Sequence, residues 1–231
     1  MSVDRPDRPD RLVVVIGTGT EVGKTYVAAA ALTALRSRGV TVAARKPTQS
    51  FGADDPTGST DADVLARATG EDRYTVCPTH RWYPVALAPP MAAEVLGRPA
   101  FTLAELADEI SWPPGLALGL VETAGGVRSP LTSDDGDAVT LIAALMADAV
   151  VLVADAGLGT LNGVRLTVAA LQPLLDTRER LELIVVLNRY DDEDDLHRRN
   201  QSWLADRDGL TVVTDVVTLV ARLQPDLPGS P

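Results

Sequence analysis

Residues 17–25, with the sequence GTGTEVGKT, constrain the fold of this chain more than any other segment. A continuous apolar run at residues 12–16 precedes them and predicts a strand buried on both faces. An alanine-rich segment at residues 24–38 follows and predicts a helix. Glycines in such a turn let backbone N–H groups point at one anion, and the helix N-terminus adds partial positive charge. The segment therefore predicts a phosphate-binding loop, although five residues rather than the usual four separate Gly17 from Gly23.

Two lysines carry the charge that such a loop needs. Lys24 and Lys46 are the only lysines among 21 basic residues, and the others are arginines. We expect Lys24 to reach the β- and γ-phosphates of a nucleoside triphosphate and the Thr25 hydroxyl to bind Mg²⁺. Lys46 follows the second predicted strand, residues 40–45, and ligands gather at the carboxyl edge of a parallel sheet. Lys46 is therefore expected to face the transferred phosphate from the opposite side, with Ser50 hydrogen-bonding a substrate on the same loop.

Carboxylates are needed to complete a Mg²⁺ site, because this ion prefers oxygen ligands and usually takes one or two acids in addition to phosphate oxygens. Glu122 and Asp155 each stand at the end of a predicted strand, and either can serve in that role. A third acid can come from the loop after the second strand, which contains a cluster of four: Asp54, Asp55, Asp61 and Asp63.

Strand and helix patterns alternate along the rest of the chain. Further strands are predicted at residues 116–122, 149–154, 183–188 and 210–217. Further helices are predicted at residues 61–69, 102–110, 138–146, 160–175 and 196–206. This alternation predicts the three-layer α/β fold of P-loop nucleoside triphosphatases, with a mostly parallel sheet and helices on both faces. Residues 12–222 are expected to form one domain between a disordered tail at residues 1–11 and a C-terminal tail at residues 223–231.

Composition limits the classes of partner and compartment. A formal net charge of −11 disfavours general binding to nucleic acid, because a phosphate backbone needs a positive surface. The single cysteine, Cys77, cannot form an internal disulfide and fits a reducing intracellular compartment. The N-terminus is charged and proline-broken, and no apolar run is long enough to span a bilayer. We therefore expect a cytoplasmic protein that binds neither nucleic acid nor membranes.

Several motifs taken together resemble those of the dethiobiotin synthetase family. The loop at residues 17–25, with its five-residue spacing, is the most specific of them. Residues 46–50 (KPTQS), Asp63 and residues 121–126 (VETAGG) continue the resemblance in the same order. Residues further along the chain complete it: Gly159, Thr160, Leu161, Asn162, Leu166, Thr167 and Asn188. The resemblance runs from residue 12 to residue 188.

This resemblance implies an ATP-dependent cyclo-ligase of biotin biosynthesis that is a cytoplasmic homodimer. Its substrates would be 7,8-diaminopelargonic acid, CO₂ and ATP, and its cofactor would be Mg²⁺. One amine of the diamine forms a carbamate with CO₂, and a carbamate oxygen attacks the γ-phosphate to give a carbamic-phosphoric anhydride. The second amine then closes the ureido ring and expels phosphate. Such chemistry requires chiefly that the protein align the reactants and offset the charge of the phosphoryl group.

The resemblance also implies a role for each residue that matches a family motif. Thr25, Asp63 and Glu122 would bind Mg²⁺, which favours Glu122 over Asp155. The residues that would contact the diamine or its carbamate are Lys24, Lys46, Thr20 and Ser50, of which the first three would be catalytic.

Two further groups of residues follow from the resemblance. The carboxylate end of the substrate would be held from the neighbouring subunit, at an active site on the subunit interface, by Gly159, Thr160, Leu161 and Asn162. Asn188 would contact the nucleobase. The full nucleotide-binding set would be Gly17, Glu21, Val22, Gly23, Lys24, Thr25, Tyr26, Asp63, Glu122, Gly125 and Asn188.

Departures from the family pattern leave parts of this reading open. Phe51, Thr123 and Gly163 replace residues that are usually glycine, glycine and histidine. Residues 215–219 lack the Gly-x-x-Pro pattern expected around the base, so the nucleobase preference stays open. The alternatives are a catalytically weakened or repurposed relative, an amide-forming ligase domain and a partner-binding switch ATPase. The last class carries an additional lysine near the start of the loop, where this chain has Thr18, Gly19 and Thr20.

Overall fold

The computed structural model describes residues 8–52 and 59–224. The strands are β1 (Arg11–Gly17), β2 (Val42–Arg45), β3 (Gln49–Ser50), β4 (Trp82–Tyr83), β5 (Leu118–Glu122), β6 (Ala149–Asp155), β7 (Glu182–Asn188) and β8 (Thr211–Val213). Six of them form one sheet in the order β2-β5-β1-β6-β7-β8, and every neighbouring pair is parallel. The strands β3 and β4 pair separately, also in parallel. The carboxyl ends of the six strands therefore meet at one edge, where ligands bind in such sheets.

Helices connect the strands and cover both faces of the sheet. They are α1 (Lys24–Ser37), α2 (Asp61–Thr69), α3 (Arg73–Val76), α4 (Pro89–Val95), α5 (Leu103–Asp108), α6 (Ala138–Leu145), α7 (Thr160–Thr177), α8 (Asp195–Ser202) and α9 (Val216–Leu223). A 3₁₀ turn at Thr79–Arg81 precedes β4, and a π-helical segment at Trp203–Arg207 extends α8. None of the helices in these described stretches is both long and apolar enough to cross a membrane.

The strand β1 lies inside the sheet and separates two hydrophobic cores. Val13 and Val15 pack with α1, α2 and α9 on one face. Leu12, Val14 and Ile16 pack with α6 and α7 on the other face. Side chains of a strand alternate between faces, so an unbroken apolar run is the pattern of a strand buried on both sides. The three-layer α/β fold predicted from the sequence is thereby confirmed.

The C-terminal part of the fold differs from its prediction. Residues 210–217 are predicted as one strand, but α9 already begins at Val216, so the second half of that prediction is wrong. The Asp215 carboxylate accepts hydrogen bonds from the N–H and the hydroxyl of Thr218, each at 2.8 Å, and so caps α9. The many valines and threonines at residues 211–218 favour a strand by local propensity. Packing of the apolar face of α9 against α1 favours the helix instead.

The N-terminal boundary of the fold is also earlier than predicted. Residues 1–11 are expected to be a tail, yet β1 begins at Arg11, and Arg8 pairs with Asp148 at 2.7 Å. The pairing of Arg11 with β5 and the ion pair of Arg8 with Asp148 therefore attach residues 8–11 to the sheet. The C-terminal tail, predicted at residues 223–231, starts too early, because Leu223 is the last residue of α9 and is buried. Residues 1–7 and 225–231 of the two predicted tails lie outside the described residues, as do Asp54 and Asp55.

Candidate active site

The phosphate-binding loop connects β1 to α1. Its last glycine, Gly23, has a left-handed backbone with φ of +93° and precedes the first helical residue, Lys24. A Cβ atom on Gly23 would lie 2.1 Å from Nδ2 of Asn188, so a side chain there would displace that amide. Gly17 is restricted in a similar way, since a Cβ there would come within 2.9 Å of Cγ2 of Val22. Backbone geometry and close packing thus account for the glycines at both ends of the loop.

Lys24 is buried beside the loop that it follows. Its Nζ donates to the carbonyl of Gly19 at 2.8 Å. Burial lowers the pKa of Lys24, and repulsion from the Lys46 ammonium lowers it further. The carboxylates of Glu122 and Asp61 act in the opposite direction. The ammonium groups of Lys24 and Lys46 repel each other strongly because both are buried. An additional anion beside Lys24 would therefore stabilise its charged form.

Lys46 follows β2 directly and is only 2% exposed. Its Nζ lies 2.6 Å from Oε1 of Glu122 and 2.7 Å from Oδ2 of Asp61. Burial alone would lower the pKa of Lys46, but these two carboxylates outweigh it and raise the pKa above its ordinary value. Lys46 therefore supplies a fixed positive charge at the carboxyl edge of the sheet.

Three oxygen-bearing side chains next to the lysines fit a divalent cation. The Thr25 hydroxyl lies 2.8 Å from Oδ1 of Asp61 and 2.8 Å from Oε1 of Glu122. Glu122 is fully buried, and its other oxygen, Oε2, has no hydrogen-bond partner among the described residues. A buried carboxylate oxygen without a partner is costly unless a ligand satisfies it. Hydroxyl and carboxylate oxygens are ligands that Mg²⁺ prefers, so this set fits that ion.

Asp63, which was predicted as a Mg²⁺ ligand, does not join this set, so the geometry favours Asp61 over it. Its Oδ2 accepts hydrogen bonds from the N–H and the hydroxyl of Thr60, each at 2.9 Å, and its Oδ1 pairs with Arg73 at 3.1 Å. These contacts make Asp63 the capping-box residue of α2. Asp61 is the first residue of the same helix, and its carboxylate contacts the site instead. Residues two apart on a helix do not face the same way, so only one of these acids reaches the lysines.

Asp155, the other acid considered for Mg²⁺, has different partners. Its Oδ2 accepts a hydrogen bond from Nη1 of Arg189 at 2.9 Å, and its Oδ1 accepts one from the Gly157 N–H at 2.9 Å. These contacts occupy both oxygens with an arginine and a loop amide. The geometry therefore favours Glu122 as the strand-end acid of the metal set.

A cavity of about 770 Å³ contains both lysines. Two buried polar atoms in its wall, Nε2 of Gln49 and Oγ of Ser50, have no hydrogen-bond partner within the described stretches of the chain. Phe51 forms another part of the wall and packs edge-to-face on Trp82, with ring centroids 6.1 Å apart. The predicted site residues that line this cavity are Thr20, Glu21, Gly23, Lys24, Thr25, Lys46, Ser50, Glu122 and Gly125.

A second cavity of about 590 Å³ adjoins the first, since Gly23 and Arg189 line both. Asn188 lies in its wall and donates from Nδ2 to the Val22 carbonyl at 2.9 Å. Tyr26 also lines this cavity and is 67% exposed. The residues after β8 that complete the wall are Thr214, Asp215, Val216 and Leu219. Tyr26 and Asn188 are thus grouped with the loop, in a compartment next to the lysines.

The segment predicted to bind the carboxylate end of the substrate lies elsewhere. Gly159 caps α7 and the next three residues begin it, and none of Gly159, Thr160, Leu161 and Asn162 lines either cavity. Asn162 is exposed, and Leu158, just before the segment, is 94% exposed. Oγ1 of Thr160 is buried and has no hydrogen-bond partner in the part of the chain that the structure describes. The segment therefore does not share a cavity with the lysines of its own chain.

Sequence reasoning missed Gln49 and Arg189 as residues of the site. Gln49 stands inside the motif at residues 46–50, so its position next to Ser50 was the available signal. Arg189 directly follows Asn188, the residue expected at the nucleobase. The choice between two acids also had a signal, because Thr60 followed three residues later by an acid is a capping pattern that engages Asp63.

Comparisons with known proteins agree with this geometry. A family model described as an AAA domain matches residues 11–227. The chain is 42% identical over 161 residues to the ATP-dependent dethiobiotin synthetase BioD of Rhodococcus jostii, covering 69% of this chain and 67% of that protein. It is 38% identical over 183 residues to the ATP-dependent dethiobiotin synthetase BioD of a Caulobacter species, covering 78% and 77% of the two chains.

A solved structure shows the same fold. Cobyrinic acid a,c-diamide synthase from Mycobacterium smegmatis, solved with an ATP analogue and magnesium, superposes with a TM-score of 0.52 at 17% identity, covering 89% of this chain and 85% of that one. A parallel sheet whose first strand runs into a glycine-rich turn and a helix is the architecture of P-loop nucleotide-binding proteins, and this chain is one of them. Within that class, the chain belongs to the dethiobiotin synthetase family.

Proposed function

We propose that this chain is an ATP- and Mg²⁺-dependent dethiobiotin synthetase, which converts 7,8-diaminopelargonic acid, CO₂ and ATP to dethiobiotin, ADP and phosphate. The observation that carries the proposal is the convergence of Lys24, Lys46, Thr25 and Glu122 in one cavity. Membership of the dethiobiotin synthetase family supports the same conclusion. The proposal includes the cytoplasmic location and the homodimeric assembly that were expected from the sequence.

The charges in the first cavity suit phosphoryl transfer. Thr25, Asp61 and Glu122 would hold Mg²⁺, which when bound neutralises charge on the phosphate oxygens. Lys24 donates to the Gly19 carbonyl, and a triphosphate would give it a stronger, charged acceptor. Lys46 is held charged by two carboxylates and would offset charge on the transferred phosphoryl group from the other side.

The diamine would bind in the same cavity, beside the γ-phosphate. One of its amines adds to CO₂ and loses a proton to become a carbamate, and a carbamate oxygen attacks the γ-phosphorus while ADP leaves. The second amine then attacks the carbamate carbon, and phosphate leaves as the ureido ring closes. Ser50 Oγ and Thr20 would contact the diamine or its carbamate, since the Ser50 hydroxyl has no partner within the residues that the structure describes.

The nucleoside would occupy the second cavity. Gly23 and Arg189 line both cavities, so a triphosphate bound at the loop can continue into the second without leaving the protein surface. Asn188 and Tyr26 would then adjoin the base, and Gly125 would line the phosphate end. This placement keeps the reacting phosphorus at the lysines and the base in the neighbouring compartment.

The carboxylate end of the diamine would be held by residues 159–162 of the neighbouring subunit. The exposure of Gly159 and Asn162, together with that of Leu158 and Leu166, supports a subunit contact at the start of α7. The N-terminus of α7 carries partial positive charge, which suits a carboxylate. Because this segment lines neither cavity of its own chain, a second copy is the natural source of the contact.

One experiment tests the proposed activity. The pure protein is incubated with diaminopelargonate, bicarbonate, MgCl₂ and ATP, and dethiobiotin is measured by mass spectrometry alongside ADP and phosphate. We expect the three products in equal amounts. Release of phosphate without dethiobiotin would contradict the proposal and favour a switch ATPase, and formation of neither product would favour a repurposed relative. The variant Arg199→Ala, which changes an exposed ion pair on α8 that lines neither cavity, serves as the control.

A further inference from the structure

Two consecutive residues at the end of β7 contact two consecutive carbonyls of the phosphate-binding loop. Asn188 Nδ2 donates to the Val22 carbonyl at 2.9 Å. Arg189 Nη2 donates to the Glu21 carbonyl at 3.1 Å. These contacts lie 166 and 168 residues apart in sequence, so the sheet brings together two segments that have no local reason to meet.

The orientation of two peptide groups follows from these contacts. In a trans peptide the carbonyl and the next N–H point in opposite directions. Fixing the Glu21 carbonyl toward Arg189 therefore turns the Val22 N–H away from β7, and fixing the Val22 carbonyl does the same for the Gly23 N–H. Neither N–H donates to an acceptor in residues 8–52 or 59–224. Two adjacent free N–H groups in a glycine-rich turn are the groups that bind phosphate.

The backbone at this point needs to be held. Glu21 has a φ of +61° and Arg189 a φ of +56°, both in the left-handed region that residues with a side chain seldom adopt. Such a conformation costs on the order of 1 kcal/mol and persists where surrounding contacts determine it. The hydrogen bond from Arg189 joins these two left-handed residues directly.

Asp155 orients the guanidinium that makes this contact. Its Oδ2 accepts from Nη1 of Arg189 at 2.9 Å, while Nη2 of the same guanidinium reaches the loop. Asp155 and Asn188 are register partners on neighbouring strands, so the carboxylate is fixed relative to the end of β7. The Arg189 side chain is 61% exposed, and the charge interaction by itself is weak in water. Its effect is therefore geometric: a planar fork spans two acceptors, which a lysine ammonium cannot reproduce.

We propose that Arg189, oriented by Asp155, is a positioning residue that holds the Glu21–Val22 peptide in the orientation that binds the triphosphate. This inference deepens the proposed function and rests on its nucleotide-binding part alone. Nucleotide binding is measurable without diaminopelargonate, so failure of the inference is distinguishable from failure of the proposed synthetase activity.

The test is isothermal titration calorimetry of MgATP into the intact protein, without diamine or bicarbonate. For Arg189→Ala we expect the Kd to rise about tenfold, as for loss of one hydrogen bond to a loop that must then be ordered by the ligand. For Asp155→Asn we expect a rise of about threefold, because the amide keeps an acceptor for the Gly157 N–H but loses the charged contact to the guanidinium. The double variant should bind no more weakly than Arg189→Ala.

Several results would overturn the inference. If the guanidinium bound the phosphates directly, Asp155→Asn would leave binding unchanged or tighten it, while Arg189→Ala would still weaken it. The inference would also be contradicted if the two substitutions had additive effects on the Kd for MgATP. It would be contradicted as well if Arg189→Lys bound MgATP as tightly as the unaltered chain, because an ammonium does not reproduce the two contacts of the guanidinium. In steady-state kinetics, Arg189→Ala should raise the KM for ATP by a larger factor than it lowers kcat, because a positioning residue for the loop acts first on nucleotide binding.

Two controls keep the test decisive. Arg199→Ala removes another exposed arginine–aspartate pair, with Asp195, and should bind MgATP like the unaltered chain. Far-UV circular dichroism checks that each variant is folded. If Arg189→Ala does not fold, Asp155→Asn and Arg189→Lys serve as the test variants. Weaker MgATP binding in both supports the positioning role of Arg189, and unchanged binding in either overturns it.

Discussion

Nζ of Lys46 lies 2.6 Å from Oε1 of Glu122, and both side chains are buried. The pair joins the end of β2 to the end of β5, two neighbouring strands of the sheet. A buried charge that loses its partner is strongly destabilising, whereas a pair replaced together costs much less. Lys46, which is expected to contact the phosphoryl group, therefore also contributes to the stability of this edge of the sheet.

The first prediction concerns this pair. Lys46→Met leaves Glu122 buried without its lysine, and we expect the free energy of unfolding to fall by about 3 kcal/mol. The double variant Lys46→Met/Glu122→Gln removes both charges and should recover part of that loss. Urea denaturation of the nucleotide-free protein measures both values. A Lys46→Met variant as stable as the unaltered chain would show that the buried pair contributes nothing.

The second prediction separates the two acids of α2. Asp61→Asn removes a carboxylate of the proposed metal set, and we expect the apparent affinity for Mg²⁺ in the presence of ATP to fall by at least about tenfold. Asp63→Asn removes the capping acid, and we expect unchanged Mg²⁺ affinity with a loss of about 1 kcal/mol in stability. Magnesium titrations and urea denaturation of both variants give the comparison. The reverse pattern would restore Asp63 as the ligand.

The third prediction concerns Lys24. Lys24→Met retains the volume of the side chain but removes the ammonium that faces the loop. We expect a loss of more than about 100-fold in kcat for dethiobiotin formation, because an aligned charge at the phosphoryl group is lost. Stability should not fall, since the substitution also relieves repulsion from Lys46. Steady-state kinetics with a thermal unfolding curve provide the measurement, and near-normal turnover would remove Lys24 from the mechanism.

The fourth prediction concerns the single cysteine. Cys77 is fully buried, and burial raises the pKa of its thiol to about 12. The thiolate is the reactive form, so we expect no reaction with a disulfide reagent at pH 8 until the protein is unfolded in urea. The same shift has a pH consequence: the unfolded thiol ionises first, so the free energy of unfolding should fall as pH rises from the ordinary value of 9.0 toward 12. Rapid labelling of the folded protein would contradict both statements.

The fifth prediction tests the shared site. Asn162→Asp adds a negative charge where the substrate carboxylate is expected, and we predict a higher KM for diaminopelargonate with an unchanged KM for ATP. The exposed position at a helix start tolerates an acid, so the fold should be retained. Asn162→Gln is the matched uncharged control.

Mixing subunits sharpens that test. In a twofold dimer, a hybrid of Lys24→Met and Asn162→Asp subunits has one site with both changes and one with neither. At a diaminopelargonate concentration well below the raised KM, where Asn162→Asp is nearly inactive, an equal mixture that exchanges subunits should therefore regain about a quarter of the activity of the unaltered protein. If the mixture stays as inactive as its components, residues 159–162 act within their own chain or not at all.

Much of the fold was predictable from the sequence because its signals are local. The apolar run of β1 and the glycines after it predict a strand, a turn and a helix in order, and Gly17 and Gly23 are required by close packing and, at Gly23, by a left-handed backbone. The second half of the predicted strand at residues 210–217 failed because α9 is stabilised by Asp215 and by packing on α1, which no short window contains.

The site was predictable to the extent that its residues follow strand ends. Glu122 and Lys46 do so, and the parallel sheet brings them together. The choice between Asp61 and Asp63 depends on which carboxylate the N-terminus of α2 uses for its cap, and the geometry favours Asp61 for the metal whereas the resemblance pointed to Asp63. Arg189 has no motif, because its contact with the loop is made across 168 residues of chain.

The close approach of Asn188 to Gly23 limits how this chain can change its nucleotide. Because a Cβ atom on Gly23 would lie 2.1 Å from Nδ2 of Asn188, we expect a larger side chain at position 188 to displace the turn that is proposed to receive the phosphates. We therefore expect base preference to be altered more readily at Tyr26, Thr214 or Asp215, which also border the second cavity. A library aimed at cytidine or guanosine nucleotides should vary those three positions and keep the amide fixed.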